Sequence, residues 1–446
     1  MRQGIHSAHT GRRGTVLIVT MWIVLVIAGL VLVFGRTVRV EAVAAANQVA
    51  ALQAEAVARG ALAFAMAKAA EAAASAGAEG SEDAASESEV EAVQVGDGYF
   101  WLLHAHPNDN NVRRYGMTDE AAKVNLNTAT AEMLLKLPEM TAELAAAIID
   151  WRDADDEISP GGAESEYYLL LDDAYYCKNG PFETVDELLL VAEATPELLY
   201  GADLNLNGII DPHEEVAGER GFYDFLTVFS AEPNTSESGE DRVNVNTVGS
   251  EAVSGLLRDA LSEDRYFAVM DLVRSGRPFD NVLEFYTHTG LTPDEFATIA
   301  DRIVTSDEQV RRGLVNVNTA PREVLACLPQ LDEGDVDALL AGRTGTQVDR
   351  TNLAWVAEAL PPEKAAAIGG HITTRGYQRT VDVVAVSGDG RAYRRFRAII
   401  DVRGDEPRVL TWFDLTHLGW PLEPEILEGL RRGSGLEKTA TMIGDR

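Results

Sequence analysis

The chain is 446 residues long, and 71 acidic against 38 basic side chains give it a formal net charge of −33. That length excludes one small domain and predicts two or three. The charge excludes a surface built for nucleic-acid phosphates or anionic headgroups, and suits divalent cations or a basic partner. Two cysteines, Cys177 and Cys327, are too few for a disulfide framework, and the sequence leaves open whether they pair.

Residues 1–14 are polar and carry Arg2, Arg12 and Arg13, whereas residues 15–34 hold no charge. Twenty such residues span about 30 Å as a helix, the thickness of a bilayer core. The flanking arginines predict a cytoplasmic N-terminus, with the acidic remainder across the membrane. A cleaved secretory signal has a shorter apolar run, of about 7–15 residues. Residues 35–75 are dense in Ala, Glu, Gln and Leu and lack Pro. One helix over residues 15–73, about 90 Å long, is therefore expected.

The small, acidic stretch 75–92 reads as a loop or flexible joint. Gly98–His104 has strand composition. From about 126 to 370 the pattern is mostly helical, cut by acidic and Gly-rich loops. Strands return at Thr380–Val386 and Tyr393–Arg403, joined by the turn residues Ser387-Gly388-Asp389-Gly390, with a third at Val409–Phe413. Strands at both ends with helices between predict one sheet domain with a large inserted all-α domain, an α+β fold.

Three copies of a Val-Asn-x-Asn-Thr motif mark the insertion, at 124–128, 243–247 and 315–319. Each precedes helical sequence, so the Asn-Thr pair is expected to supply a helix N-cap, with Pro321 tolerated in a first turn. Leu-Pro in the first and third copies should break between two short helices. The unit resembles a helix-hairpin-helix, a fold unit that often binds DNA through a Gly-rich hairpin over a phosphate. Here Glu139 and Asp332-Glu333 put carboxylates where phosphates would come, which favours protein contacts and no nucleic acid.

Between the first two copies, Asp203-Leu-Asn205-Leu-Asn207-Gly208-Ile209-Ile210-Asp211-Pro-His-Glu214 fits a twelve-residue calcium loop. Asp203, Asn205, Asn207, Asp211 and Glu214 supply side-chain oxygens, and Ile209 a backbone carbonyl. An Asx-rich turn that binds nothing is the bland alternative. A second acidic group, Asp153, Asp155, Glu164 and Glu166, is a further candidate for an ion, although a solvated acidic loop accounts for it equally well. No nucleophile elbow, P-loop or dinucleotide fingerprint is present, so no enzyme is predicted.

Arg12-Arg13-Gly14 before the apolar run resembles a type III prepilin signal, which implies cleavage after Gly14 and methylation of a new N-terminal Thr15. Most pilins carry a glutamate five residues into the mature chain; this chain has Val19 there. The segments from Ile149 to Tyr168, Asn179 to Leu188 and Val384 to Pro421 resemble the general secretion pathway protein K family, the minor pseudopilins of type II secretion, and the likeness extends over nearly the whole chain. Their missing fifth-place acid matches that family too. The resemblance implies a prepilin leader (1–14), a transmembrane (15–34) and a periplasmic (35–75) helix segment, pilin-like strands and linker (76–125), the insert (126–370) and closing strands with a tail (371–446). It also implies calcium as a cofactor, a single-pass place in the bacterial inner membrane, and a role at the pseudopilus tip in initiating and capping assembly. The partners implied are the I and J pseudopilins, with H, the secretion platform, prepilin peptidase and exported proteins as further candidates. The 203–214 loop rests on its own spacing. Two other readings are a membrane-anchored DNA receptor of the competence type and a secreted calcium-binding protein.

Overall fold

The computed structural model describes residues 12–74, 90–105, 113–203, 205–207, 209–210, 220–236, 238–247, 250–275, 278–345, 348–404, 406–434 and 436. Most of the leader and most of the 75–92 joint lie outside these residues, as do Gly208, Asp211 and Glu214 of the calcium loop.

Helix α1 (Arg12–Ala74) runs for 63 residues, about 95 Å. Along its first half the apolar side chains stand exposed, from Val16 to Phe34. From Ala50 onward a narrow stripe is buried: Ala50, Ala54, Val57, Ala58, Ala61, Ala65, Ala69 and Ala72. The spacing of three and four puts these residues on one helix face. Their small size lets the helix backbone settle close to the sheet.

That sheet has seven antiparallel strands. They are β1 (Val93–Val95), β2 (Gly98–Ala105), β3 (Arg113–Tyr115) and β4 (Thr118–Asp119) before the insert, then β13 (Gln378–Val386), β14 (Tyr393–Asp401) and β15 (Arg408–Asp414) after it. The spatial order is β1-β2-β13-β14-β15, with β3 also on β2 and β4 also on β13. Alternation along the strands sorts two cores. Phe100, Leu102, Val381, Val383, Phe396 and Ala398 face the α1 stripe. Trp101, Leu103, Val384 and Val386 point the other way, under Ile426, Leu427 and Leu430 of the helix Pro424–Arg431.

The chain leaves the sheet after β4 and returns at β13. Between them lies the insert, and the expectation of an all-helical domain needs correction. Its helices are tied by strands of two or three residues: β5 (Val124–Asn125), β6 (Leu226–Thr227), β7 (Ala231–Pro233), β8 (Val243–Asn244), β9 (Ile303–Val304), β10 (Val310–Arg312), β11 (Val315–Asn316) and β12 (Ile372–Thr373). Each Val-Asn pair of the repeat is the first strand of a parallel ladder, β5 with β6, β8 with β9 and β11 with β12; β7 and β10 pair antiparallel.

The three copies fold alike. The first Asn of each, Asn125, Asn244 or Asn316, accepts from the backbone N–H two residues on, at 2.9, 3.0 and 3.1 Å. The Asn-Thr pair therefore closes a turn instead of capping a helix. The caps come later: Thr130 and Ser250 accept from the N–H groups of Met133 and Val253, and Pro321 occupies the third cap position without a side-chain bond. In copies one and three two short helices follow, 131–134 with 142–152 and 322–326 with 333–343. Their connecting turns need a left-handed residue, Glu139 (φ 60°) and Gln330 (φ 59°). One bond links the two copies here: Lys136 Nζ donates to the Leu328 carbonyl at 2.7 Å.

Candidate functional site

The processing positions Gly14 and Thr15 lie in the first turns of α1, and Val19 is 55% exposed one turn further on. Beyond them Val38, Val40, Val43, Val49 and Leu52 of α1 stay exposed; Val38, Val49 and Leu52 lie on the side away from the sheet-facing stripe, whereas Val40 and Val43 continue the stripe's own face short of the sheet. They are apolar side chains that no part of the described head covers. The helix is long and apolar enough to cross a membrane.

A polar joint fastens the insert to the sheet. Glu120, 2% exposed, accepts from Thr380 Oγ1 at 2.6 Å and from Thr227 Oγ1, with Lys123 Nζ 3.6 Å away. On β14, Arg397 makes a bidentate pair with Asp382 on β13 and lies over the Tyr223 ring, 4.7 Å from its centre. Burial alone would lower the Arg397 pKa; the Asp382 carboxylate keeps it raised. Arg395, 1% exposed, donates to the carbonyls of Asn205 and Leu206. None of these partners was read from the sequence. The one available signal was three arginines inside the otherwise strand-like run Tyr393–Asp401, each a charge that needs a partner once the strand is buried.

The candidate calcium loop thus starts at this joint. Asp203 accepts from the Asn207 N–H at 2.9 Å, Asn207 from the Ile209 N–H at 2.9 Å, and Leu206 takes the left-handed conformation (φ 54°). The structure brings Asp203, Asn205, Asn207 and Ile209 into one tight turn; Asp211 and Glu214 lie outside the described residues.

The second acidic group gathers around Glu164, which is 1% exposed. Neither of its carboxylate oxygens meets an N–H or O–H donor; the Cys177 thiol is close enough to temper its pKa, yet donates to the Asp150 carbonyl at 3.7 Å. Asp153 Oδ1 and Asn179 Oδ1 are likewise buried without partners. Asp156, Glu166 and Asn179 line the same pocket. Asn179 Nδ2 holds the wall together through the Asp155 carbonyl and Asp156 Oδ1, at 2.8 and 2.9 Å. Burial pushes the Glu164 pKa up, and the Asp150, Asp153 and Asp156 carboxylates act in the same direction. Asp153 thus lies close enough to act on Glu164, Glu166 lines the pocket beside it, and Asp155 joins only through its backbone carbonyl. Asn179 is a contributor the sequence reading missed. Among the described residues no three acidic, histidine or cysteine side chains close into one ligand sphere.

Both thiols are buried and unpaired, which answers the question the sequence left open. Burial raises each to about 12, so neither is a nucleophile at neutral pH.

Residues 108–201 match the family described as "Type II secretion system (T2SS), protein K". No curated protein matches the chain. Among solved structures, a chain of the GspK-GspI-GspJ complex from the enterotoxigenic Escherichia coli type 2 secretion system is similar at 11% identity. The similarity covers 81% of this chain and 96% of that one, with a TM-score of 0.42. The matched stretch takes in β3, β4, the joint residues Glu120 and Lys123, and the whole acidic pocket around Glu164. Residues 108–201, set behind the long apolar helix α1, thus resemble a protein K domain of the type II secretion system.

Proposed function

We propose that the chain is a minor pseudopilin of type II secretion, of the K kind, and that it sits at the tip of the pseudopilus, where it starts and caps the fibre. The observation that carries the reading is where the insert departs. Tyr377 and Val402, at the ends of β13 and β14 that flank the insert, line a pocket with Ala70 and Ala73, the last turns of α1. That puts an edge of the insert, with Pro233 and Ser236, against the end of the helical mast, which supports a head seated where a further subunit would otherwise stack. Val19 agrees, since a chain without a carboxylate there has nothing to pair with the terminal amine of a neighbour above. The apolar flank of α1 supports packing against the helices of the I and J pseudopilins. Residues 15–34 would anchor the chain in the inner membrane, with the arginines on the cytoplasmic side and the head in the periplasm. Prepilin peptidase would cut after Gly14. The paired helices of copies one and three have the layout of helix-hairpin-helix units, and the carboxylates at their turns favour protein contact. Mass spectrometry of the native protein should find methylated Thr15 first, and quantitative blotting should find far fewer copies than of the major subunit. Equal amounts of the two along the fibre would remove the tip assignment.

We also infer that calcium is a structural cofactor of the head. Asp153, Glu164 and Asn179 present buried oxygens with no donor to meet them, which is costly in the absence of a cation and fits a hard ion that takes oxygen ligands. Glu166 and Asp156, which line the same pocket, would complete such a shell. The 203–214 loop is the second candidate. Calcium should raise the melting temperature of the wild type, less in Glu164→Gln and less in Asp203→Ala. Variants that respond to calcium as the wild type does would remove the corresponding site.

A further inference from the structure

We propose that the loop face formed by residues 166–176 and 189–193 is a docking surface for a protein whose contact region is apolar at its centre and rich in Lys or Arg around it. This goes beyond the tip reading, because the face lies on the insert and is independent of what α1 packs against.

The face is one surface, although it comes from two segments. Tyr167 packs edge-on against Tyr168, with ring centres 5.3 Å apart, and Tyr168 stacks on Tyr175 at 5.2 Å. Tyr175 Oη then donates to the Leu190 carbonyl at 2.8 Å, and the Ala192 N–H donates to Tyr168 Oη at 3.1 Å. This stack, buried at Tyr168 and half-buried at Tyr175, fixes the backbone on either side of it. It pushes the neighbouring side chains outward: Leu170 is 84% exposed and Tyr176 73%, and Tyr167, Leu169, Leu171 and Leu190 join them at the surface. Leucines held out by an ordered scaffold differ from leucines scattered singly over a surface, which need no explanation.

The charges around the patch have one sign. Glu166, Asp172, Asp173 and Glu193 are all exposed. The one basic side chain between residues 153 and 197, Lys178, is held by Glu187 at 2.8 Å. Such a rim repels nucleic acid, anionic lipid and a second copy of this acidic chain. It accelerates encounter with a basic surface, while the leucines and tyrosines supply the area removed from water.

The test uses the full chain in membranes of secreting cells, with Leu170→p-benzoyl-phenylalanine as the probe and Phe267→p-benzoyl-phenylalanine, another exposed position on the insert, as control. The expected result is a light-dependent adduct from position 170 and not from 267. Its cross-linked partner peptide should carry apolar residues flanked by Lys or Arg. Adding Asp172→Lys and Asp173→Lys should lower the yield about tenfold, by reversing the rim charge. Both positions are exposed, so the melting temperature of the purified chain should not change. The proposal is overturned by the absence of an adduct, by an adduct with a second copy, by a partner peptide that is acidic or neutral, or by a yield indifferent to charge reversal. Processing at Gly14 and copy number are unaffected by any of these outcomes, so failure here is distinct from failure of the tip reading.

Discussion

Arg395 and Asn205 meet across the boundary between sheet and insert: the guanidinium of a wholly buried strand residue donates through Nη1 to a loop carbonyl 2.7 Å away. The adjacent Leu206 carbonyl takes the second bond. One cation thus neutralises the open side of a turn whose other side carries Asp203 and Asn207. Arg395→Met keeps most of the volume and removes both donors, leaving two carbonyls without their charged partner. The expected loss is about 2–4 kcal/mol in denaturant unfolding. Amide exchange in residues 203–210 should rise more than in β13 or β2. A uniform rise throughout would mean that Arg395 serves the sheet alone and does not hold the loop.

Glu295 gives a pH signature. It caps its own helix by accepting from the Thr292 N–H at 2.9 Å, and Arg265 reaches both its oxygens, at 2.9 and 2.7 Å. The Arg265 hydrogen bonds hold its pKa at about 2, below the ordinary 4.5. A carboxylate depressed in the folded state stabilises the fold above its unfolded pKa and loses that contribution as pH falls toward the folded one. The site is partly open to solvent, so the contribution is about 1–2 kcal/mol. Wild type should therefore exceed Glu295→Gln in stability at pH 7 by that amount, and more than half of the gap should close by about pH 3. A gap that stays constant with pH would show that the ion pair is not its source.

The elements legible in the sequence were those whose signal is local. A charge-free run followed by alanine-rich, proline-free sequence specified α1, and alternation with a Gly-Asp-Gly turn specified β13 and β14. The Leu-Pro breaks in copies one and three fell where two helices meet. What escaped was non-local. The partner strands β6, β9 and β12 are two residues each, too short to carry a period. Glu120 finds its threonines 107 and 260 residues away. The second half of each repeat was present in the letters but diverged: Phe182 and Phe279 lie at matching places, and the later helices start at Thr195-Pro196, Thr292-Pro293 and Pro361-Pro362. Of the acidic group, Asp153 and Glu164 were legible by their charge. Asn179 joins them only because the chain folds back, and spacing alone does not carry that information.

The repeat makes its own prediction. Asn127 clamps Phe182, donating to its carbonyl at 3.0 Å and accepting from its N–H at 2.7 Å. Asn246 clamps Phe279 in the same way, at 2.9 and 2.7 Å, and also donates to the Thr305 carbonyl. Asn318 donates to the carbonyls of Arg350 and Thr374, but its own oxygen is left without a partner. Substitution by Ala should cost about 2–3 kcal/mol at 127 and 246, where a buried backbone pair is orphaned, and about 1 kcal/mol less at 318. Urea unfolding of the three variants measures this; equal losses would mean that the clamp geometry is not what the repeat conserves in energy.

The two sides of α1 should separate folding from assembly. Ala61 is fully buried against β13 and β14, in a stripe where the helix has no room to move outward without opening the core. Gly98 shows how close the approach is, since a Cβ there would meet the Val386 carbonyl oxygen at 2.6 Å and Val57 Cγ2 at 2.7 Å. Ala61→Leu adds three carbons to that contact and should cost about 1–3 kcal/mol. Leu52 is 64% exposed on the free flank. Leu52→Glu should leave the unfolding midpoint within about 0.5 kcal/mol of wild type. It should nevertheless weaken co-purification with the I and J pseudopilins proposed as partners, because a carboxylate buried between apolar helices has no partner there. Stability and co-purification measured side by side on the two variants decide the matter. If Leu52→Glu destabilises the head as much as Ala61→Leu does, or leaves co-purification intact, the exposed flank is not the surface through which this subunit joins its neighbours.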